Sequence, residues 1–150
     1  MTASKIVAAA ASGVGGAGED VDNLMNSFIY EGNGASRTIT NDLDISGKGG
    51  LIWIKAYSTQ VSYMVDTVRG ANKWLRSHHT SVENTAQTDG VTGFTSSGYT
   101  VGADAAVGGV NYNNVKYCAW TFLKEPKFFD IVTWTGDGTA NRNIAHNLAS

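Results

Sequence analysis

The feature that most constrains the fold is a run of short β-type segments separated by glycine- and asparagine-containing turns. Residues 51–57 are apolar on both alternating faces as far as Lys55, which predicts a strand in the middle of a sheet. Residues 115–123 alternate, with one set of side chains on each face of a strand. One face carries Val115, Tyr117, Ala119, Thr121 and Leu123, and the other carries Lys116, Cys118, Trp120 and Phe122.

Size and composition support one β domain. A chain of 150 residues buries enough surface for one core. Its charged fraction is 16%, against the roughly 25% usual for globular proteins, and Ser, Thr, Asn and Gly take that place. We therefore predict an antiparallel β-sandwich or jelly roll over residues 27–127. Its expected core is Leu51, Ile52, Trp53, Ile54, Tyr117, Ala119, Trp120 and Phe122.

Three local pairings follow from the turn residues. Residues 32–34 (GNG) tolerate positive φ, so residues 28–30 and 37–40 are expected to form a hairpin. Residues 94–101 are expected to form a second hairpin around a Ser-Gly turn. Residues 73–75 are expected to pair beside the strand at 61–68.

The two ends of the chain differ from this middle region. Residues 1–26 are rich in Gly and Ala and bury too little surface to form a core, so they form either a loose tail or an extended arm held by a partner. Residues 128–150 repeat the opening pattern of the domain. An apolar-aromatic run at 131–134 is followed by Gly-Asp-Gly, as 28–30 is followed by Gly-Asn-Gly. They are interpreted as the start of a second repeat or a C-terminal strand extension.

An ordered set of motifs resembles a known family. Together they cover most of residues 27–135, and the N-terminal stretch MTASKIVAAAA matches the resemblance as well. The motifs are FIYEGNG at 28–34, GGLIWIK at 49–55, DTVRGANKWL at 66–75, FTSSGY at 94–99, YCAW at 117–120 and FFDIV at 128–132. In this order they resemble the tail-fibre-like structural proteins of bacteriophages, particularly marine ones.

The resemblance implies a concanavalin-A-like sandwich in a phage virion, with no catalysis. The expected place is the tail or an attached fibre, with other tail or head-tail proteins as partners. By analogy with fibrous appendages, a homotrimer is the favoured oligomer. The arm is then expected to dock to the particle through Ile6, Val7, Val14 and Leu24. A lectin-like module contacting a host surface glycan and a capsid decoration protein are the alternatives.

Other functional classes find little support. The charge of -2 and the lack of a concentrated basic face argue against nucleic acid, and no segment is long and apolar enough to span a membrane. We predict no catalytic residue, no cofactor and no metal. Cys118 is expected to be a small buried hydrophobe. Residues 77–92 are expected to form a long polar connection. In a strand, the adjacent His78 and His79 would point to opposite faces, whereas Asp42 and Asp44 would share one face.

Two sets of residues remain as candidate sites. Asp66 and Arg69 are predicted to form a structural ion pair that locks a turn, with glycan contact as the alternative. Tyr57, Tyr99 and Tyr112 are aromatic side chains that could stack on sugar rings, although burial in the core or an interface is commoner. No two of the candidate carboxylates can be paired convincingly from the sequence. They are Glu31, Asp42, Asp44, Asp66, Glu83 and Glu125.

Overall fold

The computed structural model describes residues 19–58, 62–104 and 108–148. Within these ranges, eight strands and one short helix follow a 3-10 turn at Val21–Asn23. The elements are β1 (Met25–Glu31), β2 (Arg37–Thr40), α1 (Ile45–Lys48), β3 (Gly50–Ala56), β4 (Ser62–Asp66), β5 (Leu75–Arg76), β6 (Val91–Thr95), β7 (Gly98–Val101) and β8 (Lys116–Leu123).

The strands form two antiparallel sheets. The larger has the order β1-β8-β3-β4-β5 and the smaller has the order β2-β7-β6. The predicted all-β antiparallel sandwich is therefore confirmed. β3 is the central strand of the larger sheet, as its two apolar faces predict. The hairpin β6–β7 turns at the predicted Ser-Gly position, and β5 pairs with β4.

The core lies between the facing sides of the two sheets. The larger sheet contributes Ile52 and Ile54 from β3 and Tyr117 and Ala119 from β8, all fully buried. The smaller sheet contributes Ile39 and the fully buried Tyr99 and Val101. A buried polar contact crosses between the sheets. The side-chain amide of the buried Asn41 donates to Thr121 Oγ1 at 2.9 Å, which satisfies both groups inside an apolar layer.

The first predicted hairpin is wrong. β1 pairs with β8 and β2 pairs with β7, so the chain crosses from one sheet to the other at residues 32–36. Gly32 is needed there for close approach, because a Cβ on it would lie 2.1 Å from the carbonyl oxygen of Tyr112. The Gly-Asn-Gly sequence therefore serves contact with a distant loop, not a tight turn.

The outer faces of the two sheets differ in chemistry. The larger sheet turns a continuous set of large apolar side chains outward, which we call the aromatic face. It consists of Leu51, Trp53, Met64, Leu75, Trp120 and Phe122. The smaller sheet turns five threonines outward, which we call the threonine face. They are Thr38, Thr40, Thr92, Thr95 and Thr100.

Four of the eight residues predicted for the core lie on the aromatic face instead. Trp53 is 37% exposed, and Leu51, Trp120 and Phe122 are partly exposed. The cause is the period of two. Residues 51 and 53 of β3 and residues 120 and 122 of β8 fall on the face opposite Ile52 and Tyr117. Trp53 packs against Trp120, with ring centroids 5.5 Å apart, and its indole N–H donates to Ser62 Oγ at 3.0 Å.

The predicted domain boundaries shift by a few residues at the N-terminal side. β1 begins at Met25, two residues before the predicted start, and Leu24 is 3% exposed in the core. At the other end, Phe128 packs on the core, and Phe129 stacks on Phe122 with ring centroids 5.4 Å apart. Residues 131–148 form no regular helix or strand. The repeat at 128–150 stays a prediction.

Candidate functional site

Asp66 and Arg69 are brought together by the turn that follows β4. Arg69 Nε donates to Asp66 Oδ2 at 2.6 Å, and Asp66 Oδ1 accepts the backbone N–H groups of Val68 and Arg69 at 3.0 and 2.9 Å. Asp66 is only 2% exposed. The buried carboxylate therefore fixes the turn, and it is not available as a surface for a ligand.

The other predicted candidates do not converge on one site. Asp42 has a φ of 64°, and Asp44 caps α1 by accepting the N–H of Gly47 at 2.8 Å, so the two are not on one strand face. His78 and His79 follow β5 in a turn. This agrees with the long polar connection predicted from residue 77 onward.

The remaining predicted residues are scattered over the chain. Cys118 is only partly buried, on the outer side of β8, and burial raises the pKa of its thiol. Tyr57 is 60% exposed, whereas Tyr99 is fully buried and so cannot stack on a sugar. Leu24 belongs to the core of the sandwich, which corrects its predicted place on the arm. Ile6, Val7 and Val14 lie outside the described residues.

Three tyrosines hold the loop that precedes β8. The hydroxyl groups of Tyr63, Tyr117 and Tyr30 donate to three successive carbonyl oxygens, those of residues 108, 109 and 110. The distances are 2.8, 2.8 and 2.7 Å. Burial raises the pKa of all three hydroxyls, so they remain protonated donors. Strands on the larger sheet thus fix the backbone of an irregular loop.

Asn111 continues this fixed segment. Its side-chain amide donates to the carbonyl oxygens of Ala35 and Gly102 at 2.7 and 2.8 Å, and its oxygen accepts the N–H of Asn33 at 3.1 Å. The residue is fully buried. One side chain therefore ties together the crossover after β1, the end of β7 and the loop before β8.

A cleft of about 490 Å³ lies beside this loop, at the β4–β5 edge of the larger sheet. We call it the Asp89 cleft. Its volume falls within the range of roughly 300–1,000 Å³ typical of small-molecule sites. Tyr63, Trp74 and the backbone of Gly108 and Gly109 line it. Its polar side chains are Arg76, His78, Asn84, Gln87, Asp89 and Asp104.

A buried carboxylate organises one wall of the cleft. Asp104 Oδ2 accepts the N–H of Val110 at 2.6 Å, and its Oδ1 accepts from Gln87 Nε2 at 3.2 Å. The same Gln87 amide donates to Asp89 Oδ1 at 2.5 Å. Asp104 has a φ of 32°, an unfavourable conformation for a non-glycine residue that these hydrogen bonds hold in place. Asp104 is thus a structural group that aligns Gln87 with Asp89.

Two aromatic side chains form the opposite wall. Tyr63 and Trp74 stack with ring centroids 4.2 Å apart and an interplanar angle of 3°, and the Arg76 guanidinium lies 5.8 Å from the Tyr63 ring centroid. Both rings are buried, at 6% and 4% exposure, so neither offers an open stacking platform. The indole N–H of Trp74 is buried and has no hydrogen-bond partner among the described residues. Such a donor costs about 1–3 kcal/mol when it is left unsatisfied.

Comparison with known proteins places the chain in one family. Residues 20–150 match the family model described as Domain of unknown function (DUF7483). The chain belongs to the DUF7483 family. No curated protein and no solved structure matches it. The DUF7483 match includes both sheets and the whole Asp89 cleft.

Two observations bear on the chemistry of this DUF7483 domain. Within residues 19–58, 62–104 and 108–148, no three His, Cys, Asp or Glu side chains come together as metal ligands. In the same part of the chain, no helix has the length and apolar character needed to cross a membrane.

Sequence analysis missed the residues of the Asp89 cleft. Asp89 and Asp104 lie in segments 15 positions apart that read only as polar loops, and neither was among the candidate carboxylates. The available signal was the set of glycines at 90, 102 and 109. A Cβ on Gly90 would lie 2.8 Å from Trp74 Cζ3, and one on Gly109 would lie 2.2 Å from the Asp104 carbonyl oxygen. These glycines mark close packing around the cleft, but not its chemistry.

The DUF7483 domain should show a pH dependence that originates at Asp104. Burial, followed by the nearby Asp89 charge, raises the pKa of Asp104 in the folded state, although the Val110 N–H opposes this. A carboxyl whose folded pKa is raised contributes stability below about pH 4 that is lost as the pH rises through the folded pKa. As the pH rises from about 3 to about 7, the free energy of unfolding of Asp104→Asn should therefore increase relative to that of wild type. Urea unfolding measures this difference.

Asp137 supplies a control of opposite sign. The Thr139 backbone N–H, the largest cause, lowers the pKa of this exposed carboxyl. Asp137→Asn should therefore lose stability relative to wild type as the pH rises over the same window. A difference between Asp104→Asn and wild type that is the same at every pH would contradict the role given to Asp104.

Proposed function

We propose that this chain is a non-enzymatic structural component of a bacteriophage virion, part of the tail or an attached fibre, that associates with other subunits through the aromatic face. The aromatic face carries the assembly part of this proposal. Trp53 and Leu75 are each 37% exposed there, and neighbouring Ile29 is 56% exposed. The virion setting rests on the ordered motifs quoted above.

The two outer faces differ in chemistry, which supports different environments for them in the assembled particle. The hydroxyl groups of the threonine face can hydrogen-bond to water, whereas contiguous large apolar side chains on a folded surface are characteristic of interaction sites. Trp, Met and Leu side chains on a pleated sheet also provide the flat, dense area from which interface cores are built. We therefore propose that the larger sheet faces the neighbouring subunit and the smaller sheet faces solvent.

The proposed neighbour is a second copy of this chain. One end of the aromatic face carries exposed charges of both signs, Glu31 and Lys116, which are register partners on β1 and β8. Where two copies meet at this end, Glu31 of one copy can pair with Lys116 of the other. By analogy with fibrous appendages, the proposed oligomer is a trimer.

Light scattering after size-exclusion chromatography tests this face. Wild-type protein should be oligomeric at micromolar concentration. Trp53→Glu combined with Leu75→Glu should give monomers, because burying two unpaired charges opposes association. Thr38→Glu combined with Thr40→Glu is the matched control, since it places two glutamates at exposed positions of the opposite face, and it should stay oligomeric. A monomeric wild type, or dissociation by the control alone, would contradict the assignment.

The N-terminal arm is proposed to dock this module to the particle. Deleting residues 2–18 should leave the sandwich folded, because the described elements begin only at Val21. The deletion variant should be soluble, with the far-ultraviolet circular dichroism spectrum of a β protein, but missing from purified virions. Incorporation of this variant at the wild-type copy number would show that the arm is not an anchor.

Carbohydrate binding is the second candidate function, and the Asp89 cleft favours it. The cleft gathers several polar side chains at one point, as a small-molecule site requires. Binding of a glycan by isolated protein on a glycan array, at sub-millimolar affinity, would support this function.

A further inference from the structure

We infer that the Asp89 cleft binds a neutral saccharide of one or two rings, an inference that rests on the second proposed function. The polar groups that remain available in the cleft decide the ligand class. Asp89 Oδ2 and Gln87 Oε1 have no partner in the described part of the chain and can accept hydrogen bonds. The Arg76 guanidinium and Asn84 Nδ2 can donate them.

A mixture of donors and acceptors matches the chemistry of a sugar. Each sugar hydroxyl can donate one hydrogen bond and accept others. It can therefore donate to an acceptor such as the Asp89 carboxylate and accept from a donor such as the Arg76 guanidinium. A phosphate or a carboxylate ligand would meet the negative charges of Asp89 and Asp104. A cationic ligand would meet Arg76. A neutral polyhydroxylated ligand is repelled neither by the carboxylates nor by the guanidinium group.

Trp74 supplies an independent indication of a missing partner. Its indole N–H is a buried donor without an acceptor in the described part of the chain, and the residue lines the cleft. Native proteins seldom leave such groups unpaired. We propose that a small rotation of the Trp74 ring on binding exposes this donor to a hydroxyl oxygen in the cleft, which would then provide the acceptor.

The walls of the cleft are held in place before any ligand arrives. Tyr63 and Tyr117 fix the carbonyl groups of Gly108 and Gly109 through their hydroxyls. Asp104 and Gln87 orient Asp89 from the other side. Little ordering remains to oppose binding, which favours affinity for a small ligand.

A second depression continues the cleft along the surface. It has a volume of about 340 Å³ and shares Arg76 and Asn84 with the Asp89 cleft. Its lining includes Ser81, Glu83 and Thr85, which add further hydrogen-bonding groups. A disaccharide could therefore place one ring in each depression.

Nuclear magnetic resonance of the ¹⁵N-labelled 150-residue chain tests the inference directly. The chain has four tryptophans, and Trp74→Phe identifies the Trp74 indole N–H signal. We expect titration with glucose, galactose, mannose or N-acetylglucosamine, each to about 50 mM, to move this signal downfield for at least one sugar with millimolar affinity or better. The indole signals of Trp53 and Trp134 should stay in place.

Asp89→Ala should weaken this binding about ten-fold or more, because it removes an acceptor that carries charge. Asp137→Ala is the matched control, since Asp137 is exposed and lies outside the cleft lining, and it should bind as wild type does. Dispersed amide spectra for both variants would show that they are folded.

Three outcomes would overturn the inference. In the first, no sugar moves the Trp74 signal at the highest concentration. In the second, Ca²⁺ alone moves it in the absence of sugar, which would assign the cleft to a cation. In the third, a sugar binds with equal affinity to wild type and Asp89→Ala, which would leave carbohydrate binding standing but place it elsewhere on the domain.

Discussion

Replacing Asn111 with alanine should lower the free energy of unfolding by about 4 kcal/mol. The substitution leaves the buried carbonyl group of Gly102 without a partner, which costs about 1–3 kcal/mol, and it removes two part-buried hydrogen bonds, to Ala35 and Asn33, of about 0.5–1.5 kcal/mol each. Water cannot readily replace the Gly102 contact, because both Gly102 and Asn111 are buried. Urea unfolding followed by tryptophan fluorescence measures the loss.

Asn113 provides a matched control two residues away. It is an exposed asparagine on the same loop, so Asn113→Ala should change stability by less than about 0.5 kcal/mol. A loss below about 1 kcal/mol for Asn111→Ala would mean that the three backbone groups find other partners, and that the loop is not held as described.

Replacing Asp66 with alanine should cost about 3–5 kcal/mol, the range for removing one partner of a buried ion pair. Asp66 accepts from the Arg69 guanidinium and from two backbone N–H groups, and its loss leaves a largely buried arginine unpaired. The contact of Arg69 with Glu83 at 3.5 Å compensates little, because Glu83 is partly exposed.

A double-mutant cycle separates the ion pair from the turn. Arg69→Met removes the other partner, and the pair Asp66→Ala with Arg69→Met should cost less than the two single losses combined. The coupling should reach about 2 kcal/mol, within the range for residues in direct contact. Asp22→Ala, at an exposed carboxylate, should change little. Strict additivity of the two losses would show that Asp66 acts only on the backbone.

The two faces of the larger sheet were predictable to different degrees. The period of two in residues 115–123 correctly separates the two faces of β8, but it does not decide which of the two faces is inward. Trp53 and Trp120 were predicted to lie in the core, since aromatic side chains are usually buried. The structure places them on the outer face, and the apolar character of both faces of β3 does not by itself show which of the two faces is covered.

The candidate site depends on contacts that are distant along the chain. The Asp66–Arg69 pair could be predicted because the two residues are three positions apart and one turn joins them. The Asp89 cleft could not, because its walls come from β4, β5 and two loops that only the folded sheet brings together. The Tyr63 hydroxyl, for example, reaches Gly108, a residue 45 positions away.

The sequence by itself determined the β class, the central place of β3, the β6–β7 hairpin and the locked turn after β4. These features follow from local periodicity, from residue types at turns and from short-range charge pairs, which act over a few residues. Tertiary structure alone decided which strands pair across the chain, which outer face is aromatic and which is threonine-rich, and that three tyrosines fix the loop beside the Asp89 cleft. Those outcomes depend on burying one common core between two sheets. The free energy of that burial arises only when segments from the whole chain pack together, so no single segment specifies it.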